Sequence, residues 1–221
     1  MSALADSRKR MLRSIHRATA DLAVPGRPDC QSDYAALPRT YQRRGALPHD
    51  ECVELMMTRL REYDAEVVEC LPEQLPVTIA AQLAAGGKRC VVAPAGLAAE
   101  WLVDGIDWKI DHDLPVAEIE AASAVLTASS CGVASSGTIV LHHSAAEGRR
   151  VISLLPDWHL CVLRSSQVVE TLPEYFDRCS QPPALATYIS GPSATADIEM
   201  TRIKGVHGPR FLHVILVRDE G

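Results

Sequence analysis

The chain has 221 residues, 47% hydrophobic and 23% charged, which is the usage of a globular domain and excludes a fibre or a disordered tail. Its net charge of −6 is uneven: residues 1–44 carry nine Lys/Arg against four Asp/Glu, whereas the remainder is strongly acidic. A basic arm on an acidic body lacks the basic footprint of nucleic-acid binders. No apolar run reaches the ~18 residues of a membrane span, and no secretory pattern opens the chain, so the expected compartment is the cytoplasm.

Residues 3–22 place Leu4, Met11, Leu12 and Ile15 on one helical face and Arg8, Lys9, Arg13 and Arg17 mostly on another, predicting an amphipathic first helix. Residues 24–48 hold four Pro and two Gly and read as a strap. The spacing of Val53, Met56, Met57 and Leu60 predicts a helix over 49–62, with acidic residues at its start and Arg59 and Arg61 at its end. Short apolar runs then alternate with helical stretches. Strands are expected at 65–70, 89–93, 108–110, 124–128, 137–142, 150–154, 159–163, 185–189 and 211–217. Helices are expected at 73–85, 95–103, 115–122, 171–178 and 194–200. This alternation predicts an open, mostly parallel α/β sheet, and the strands crowded between 124 and 163 predict an antiparallel portion in its middle. The implied division is a helical arm and strap over 1–48 and one α/β domain over 49–221.

Seven cysteines, at 30, 52, 70, 90, 131, 161 and 179, form no Cys-x-x-Cys pair and match neither a disulfide framework nor a zinc or iron–sulfur site. They read as reduced core residues, and the chain is expected to bind no metal or cofactor. His142 and His143 lie on a strand, where neighbours face opposite ways, so they cannot share a metal. Walker and Gly-x-Ser-x-Gly motifs are absent, which disfavours a nucleoside triphosphatase and a serine hydrolase.

Three turns carry the chemistry. In the first, Gly132 and Gly137 bracket Ser135 and Ser136, and Thr138 follows; its backbone N–H groups and hydroxyls suit an anion, or the turn holds nothing. The second runs from Gly191 through Ser193 and Thr195 to Asp197 and Glu199, and a helix beginning there would present free N–H groups to an anion. The third holds Gly205, His207, Gly208 and Arg210, with His207 titrating near neutrality and able to bind an anion or move a proton. Asp157-Trp158-His159 forms a further, lesser candidate at the start of a strand.

The segments SGPSATADIEMTRIKGVHGPRFLHVILV (190–217) and CGVASSGTIVLHHSAAEGRRVISLLPDWHLCVL (131–163) resemble the lactate-utilisation protein C family, or LUD domain. The resemblance implies a fold similar to the ribose-phosphate isomerase, glucosamine-phosphate isomerase and CoA-transferase group. It also implies a part in oxidising L-lactate to pyruvate beside iron–sulfur partner proteins, whose clusters would supply the redox centres that this chain lacks. Where the family commonly has an acidic residue, at Ser135 or a neighbour, this chain has Ser-Ser. On this reading the three turns bind a small anion or a partner. The alternatives are a stand-alone isomerase or cyclo-ligase, with His207 as acid–base and Asp197 or Glu199 as its partner, and a non-catalytic scaffold.

Overall fold

A computed structural model describes residues 2–19, 34–38, 40–179, 181, 183–195, 203–204 and 208–219. Two compact units are present, Met1–Tyr41 and Gln42–Gly221. The first contains helix α1 (Ser2–Thr19), with Met11, Leu12 and Ile15 exposed. Segment 42–48 belongs with the second unit, where the Gly45 and Leu47 amides donate to the carboxylates of Glu174 (3.0 Å) and Glu170 (2.7 Å).

The second unit is built on six parallel strands, β1 (Glu66–Cys70), β2 (Cys90–Pro94), β3 (Asp107–Asp111), β4 (Ala124–Thr127), β7 (Trp158–Arg164) and β12 (Phe211–Val217), in the order β1-β12-β7-β4-β2-β3. Their side chains alternate between two covered faces, as buried parallel strands require. On one face Leu160, Val162, Ile215 and Val217 meet Leu75, Ile79 and Leu83 of helix α3 (Leu75–Ala85). On the other, Cys161, Leu163, Val214 and Leu216 meet Val53, Met56, Met57 and Leu60 of helix α2 (His49–Glu62). Complete burial of these aliphatic side chains is worth roughly 1.5–3 kcal/mol each, so the two faces dominate the stability of the unit. Helix α4 (Val116–Ala121) adds Ile119 beside Val92, Val125 and Ile152.

A second sheet accounts for the crowding between 124 and 163. It comprises β5 (Cys131–Val133), β6 (Thr138–Leu141), β8 (Val168–Val169) and β9 (Thr187–Ile189) in the order β8-β5-β6-β9. β6 runs antiparallel to β5 and β9, so the expected antiparallel portion lies in this separate layer and not within the large sheet. Helix α5 (Leu172–Arg178) begins with a capping box in which Glu174 accepts from the Thr171 amide, and its Tyr175 seals the outer side with Val133 and Val140.

Three expected elements differ. Residues 150–154 form successive turns, Ile152 N–H donating to Arg149 O and Leu154 N–H to Val151 O; the run is apolar because Ile152 is buried, and periodicity alone does not distinguish such a run from a strand. Of the helix at 95–103 only the 3-10 turn Ala99–Trp101 forms, anchored by buried Trp101. The helix at 194–200 is replaced at its start by β10 (Ala194–Thr195), paired antiparallel with β11 (Ile203–Lys204). Ala194 and Thr195 are therefore strand rather than helix, and the rest of the expected helix, 196–200, lies outside the described residues.

Candidate functional site

The first of the three turns closes on the protein itself. Ala134–Ser136 make a 3-10 turn that ends at Gly137 with φ +59. A Cβ there would lie 2.7 Å from Arg59 Cβ and 2.9 Å from the Arg59 carbonyl carbon, so α2 occupies the inside of the turn. Gly132 faces Leu163 and Met56 in the same way. Ser135 and Ser136 are exposed, and the Ser135 amide donates to Glu170 O at 2.9 Å. The hydroxyls lead elsewhere: Ser136 Oγ lies 2.7 Å from Thr138 Oγ1, which lies 2.7 Å from Ser190 Oγ.

Ser190 borders a cavity of about 230 Å³ at the amino ends of β7 and β12, between the large sheet and β9. Its lip is the second turn, where Gly191 and Ser193 meet Gly208 of the third. Gly191 holds φ +87 with its α-carbon packed on Tyr63, where a Cβ would approach Tyr63 O to 2.8 Å. The Ser193 amide donates to Pro209 O at 2.9 Å, which ties the two turns together. Opposite them stand Arg150, Ser153 and His159.

Among the described residues Arg150 is the one cation that lines this cavity. Its Nη1 donates to Ser153 Oγ at 3.1 Å, and no carboxylate among the described residues pairs with it. Burial alone draws its pKa below the usual guanidinium value. Its neighbour Arg149 shows the opposite arrangement: Nε and Nη2 grip the buried Asp111 carboxylate at 2.9 and 2.6 Å, and Nη1 reaches Asp113 at 2.7 Å. Hydrogen bonding to Asp111 raises the pKa of Arg149 and lowers that of Asp111. Two adjacent arginines thus differ in kind, one neutralised by acids and one left with its charge facing a cavity.

His159 is 1% exposed, with Nε2 2.8 Å from Thr127 Oγ1. Burial, with the charge of Arg150 alongside, pushes its pKa down to about 4, so the imidazole is neutral at physiological pH. Thr187, Ser190 and Ser193 line the cavity beside apolar Ile189 and Leu212, the Thr187 hydroxyl held by His143 and that of Ser190 by Thr138. Such a site can receive an anion on Arg150, hydrogen-bond a second oxygen, and shelter a small apolar group. Arg150 also borders an open cavity of about 470 Å³ beside Gly96, Asp111 and Arg149 at the carboxyl ends of β2 and β3. A third, of about 370 Å³, is lined by Arg44 and Arg178 together with Glu170, Glu174 and Asp177, a mixed set of charges in which Asp177 is held by Arg43 and Arg178 donates to Ser166 O at 3.5 Å.

The remaining candidates are placed as follows. Arg210 holds Asp157 with both Nε and Nη2 at 2.6 Å, so its charge is already matched. Thr195 lies on β10, whereas Asp197, Glu199, Gly205 and His207 fall outside the described residues. His142 and His143 part company: His142 Nε2 meets Tyr175 OH at 2.9 Å, and His143 bridges Gly148 O (2.9 Å) and Thr187 Oγ1 (2.7 Å). Among the described residues no group of three His, Cys, Asp or Glu gathers as a metal site. Burial pushes the thiols of Cys52 and Cys131 up to about 11 and that of Cys161 up to about 12. No helix of the described residues is long and apolar enough to cross a membrane.

Arg150 escapes a sequence reading. In the run Gly148-Arg149-Arg150-Val151 the two arginines are equivalent, and only the tertiary position of Asp111 distinguishes them. His159 carries a weak signal as a polar residue inside an otherwise apolar strand.

Residues 116–217 match the LUD domain family model. The chain is 39% identical over 220 residues to lactate utilization protein C of Deinococcus radiodurans, covering 96% of each chain. It is 30% identical to lactate utilization protein C of Bacillus licheniformis, covering 92% of this chain and 90% of that protein. A crystal structure of a DUF162 family protein from Deinococcus radiodurans superposes with a TM-score of 0.65 at 36% identity, over 78% of this chain and 99% of that one. The likeness spans both signatures and nearly the whole length. The chain belongs to the lactate utilization protein C family of LUD-domain proteins.

Proposed function

We propose that this chain serves L-lactate oxidation as a cytoplasmic, non-redox component that works with iron–sulfur partner proteins and binds a small anion at Arg150. The similarity to lactate utilization protein C supports the lactate role. The observation that carries the anion site is Arg150, which lines a cavity with Ser153, Ser190 and Ser193 and has no carboxylate partner among the described residues. A partly buried cation in that position is stabilised by whatever anion enters. The seven cysteines are dispersed and form no Cys-x-x-Cys pair, and redox centres are assigned to the partners on that basis.

Complementation tests the reading. A strain lacking the gene should fail on L-lactate and grow on pyruvate, the wild-type gene should restore growth, and Arg150→Gln should not. Normal growth of the deletion strain on L-lactate removes the lactate role. Full rescue by Arg150→Gln removes the anion site from the function.

A further inference from the structure

The six-stranded sheet and the four-stranded sheet end in four strand edges, and three of them are guarded. β1 carries Glu66 and Glu69, and β3 carries the Asp107–Lys109 pair, charges that oppose the addition of a further strand. β8 is two residues long, both of them buried. The fourth edge, β9, pairs with β6 on one side and with no described strand on the other. It has no charged guard: the stretch from Cys179 to Ala196 contains no Asp, Glu, Lys, Arg or His.

Apolar side chains continue this edge on the outer face of the second sheet. Tyr188 lies opposite Val140 in the ladder, on the side that α5 covers. Its ring meets buried Tyr175 edge-on at 6.0 Å between centroids, and the ring of Phe176 lies 5.0 Å from the same tyrosine. Tyr188 is 46% exposed and Phe176 52%, and Leu172, one helical turn before Phe176, is exposed as well. The charged residues of α5 are engaged elsewhere. Glu174 accepts from the Gly45 amide, Asp177 pairs with Arg43, and Arg178 donates to Ser166 O. Exposed aromatic rings beside an open strand edge have the character of an interface core.

We infer that β9 and the Leu172–Phe176 side of α5 form the contact between two copies of this chain, related by a two-fold axis that pairs β9 antiparallel with β9 of the second copy. A two-fold relates identical antiparallel strands, so each edge covers the other and the assembly closes at two. Charge favours a second copy as the occupant. Each copy carries −6, so two copies repel where acidic faces meet, and the uncharged stretch from 179 to 196 is a place where they can approach. A charged foreign partner would find no complementary group on that stretch. Pairing would join the two four-stranded sheets edge to edge. Thr187, Tyr188 and Ile189 also line the Arg150 cavity, so the second copy would stand against one wall of it. The contact holds whatever that cavity binds.

Sedimentation equilibrium of the full chain tests the contact, from about 1 to about 100 µM. The expected mass at the upper end is twice that of one chain. Phe176→Glu puts a negative charge on the strip in both copies and should raise the dimer dissociation constant at least tenfold, and Tyr188→Lys should do the same at the strand edge. Val77→Glu, on an exposed position of α3, should leave the dissociation constant unchanged. A single-chain mass at every concentration overturns the proposal, whatever other chain uses the edge. A mass that grows beyond two chains overturns the closed two-fold. A dimer that survives both Phe176→Glu and Tyr188→Lys overturns the surface, and its loss in Ile15→Glu would then place the contact on the exposed face of α1. If one variant fails to fold, the other variant and the wild-type mass still decide.

Discussion

The turn at 134–138 and the lip at 190–193 look alike as text, each a short run of Ser and Gly between strands, yet their concave sides hold different things. The first is filled by α2, with Arg59 and Leu60 against Gly137. The second meets Gly208 across a cavity that exposes Arg150. Glycine marks close approach in both cases, and what approaches is decided elsewhere in the chain. The difference predicts that the first turn bears on stability and the second on binding, and that the two can be damaged separately.

The largest expected effect is at Gly137. Gly137→Ala demands a positive φ of a residue with a Cβ and pushes that Cβ into the Arg59 backbone, which cannot swing aside as a side-chain tip would. Strain and overpacking together should cost about 4 kcal/mol. Urea denaturation should show the midpoint falling sharply with the slope retained. A loss under about 1 kcal/mol would mean that α2 yields easily and that the turn is not packed as described.

The cavity side should declare itself through pH. His159 has an ordinary imidazole value of 6.5 when unfolded and about 4 when folded, so between these values the unfolded chain takes up a proton that the folded chain refuses. Stability is complete above pH 6.5 and is lost as pH falls toward 4, by about 3 kcal/mol in all. Asp111, Asp157 and Asp219 lie below the ordinary carboxylate value of 3.8, so their contributions disappear only beneath that window. Burial also draws His213 below 6.5, so its contribution falls in the same window, and His159→Gln should reduce the dependence between pH 6.5 and 4 without abolishing it. An unchanged slope in that variant would show that His159 contributes nothing and would leave His213 as the titrating imidazole.

The same contrast explains how much of the molecule is legible from its residues. The period of Val53, Met56, Met57 and Leu60 yields α2, and the apolar run Phe211–Val217 yields β12, because both patterns are local. β5 and β8, of three and two residues, exist only through pairing with distant strands, so the second sheet appears in the text only as crowding. Within the site, Gly191, Ser193 and Gly208 are found by their turn chemistry, and the structure brings all three to one cavity. Thr138 joins them through Ser190, although its own turn faces α2. Arg150 is invisible, because nothing in an Arg-Arg pair says which member will find an acid.

The smallest expected effect on stability is therefore the most informative, and it concerns that pair. Arg149 lies beneath two carboxylates, and Asp111 also accepts from the amides of Asp113 (3.3 Å) and Leu114 (3.0 Å). Arg149→Ala would strand a buried carboxylate with those amides alone and should lower the midpoint of thermal unfolding clearly. Arg150→Gln removes a partly buried cation that balances nothing in the described structure, so stability should move by no more than about 0.5 kcal/mol. A midpoint that falls as far for Arg150→Gln as for Arg149→Ala would show that Arg150 supports the fold and is not held in reserve for a ligand. A midpoint that stays or rises, together with failure to restore growth on L-lactate, would identify Arg150 as a charge kept for the proposed anion at a modest cost to the fold.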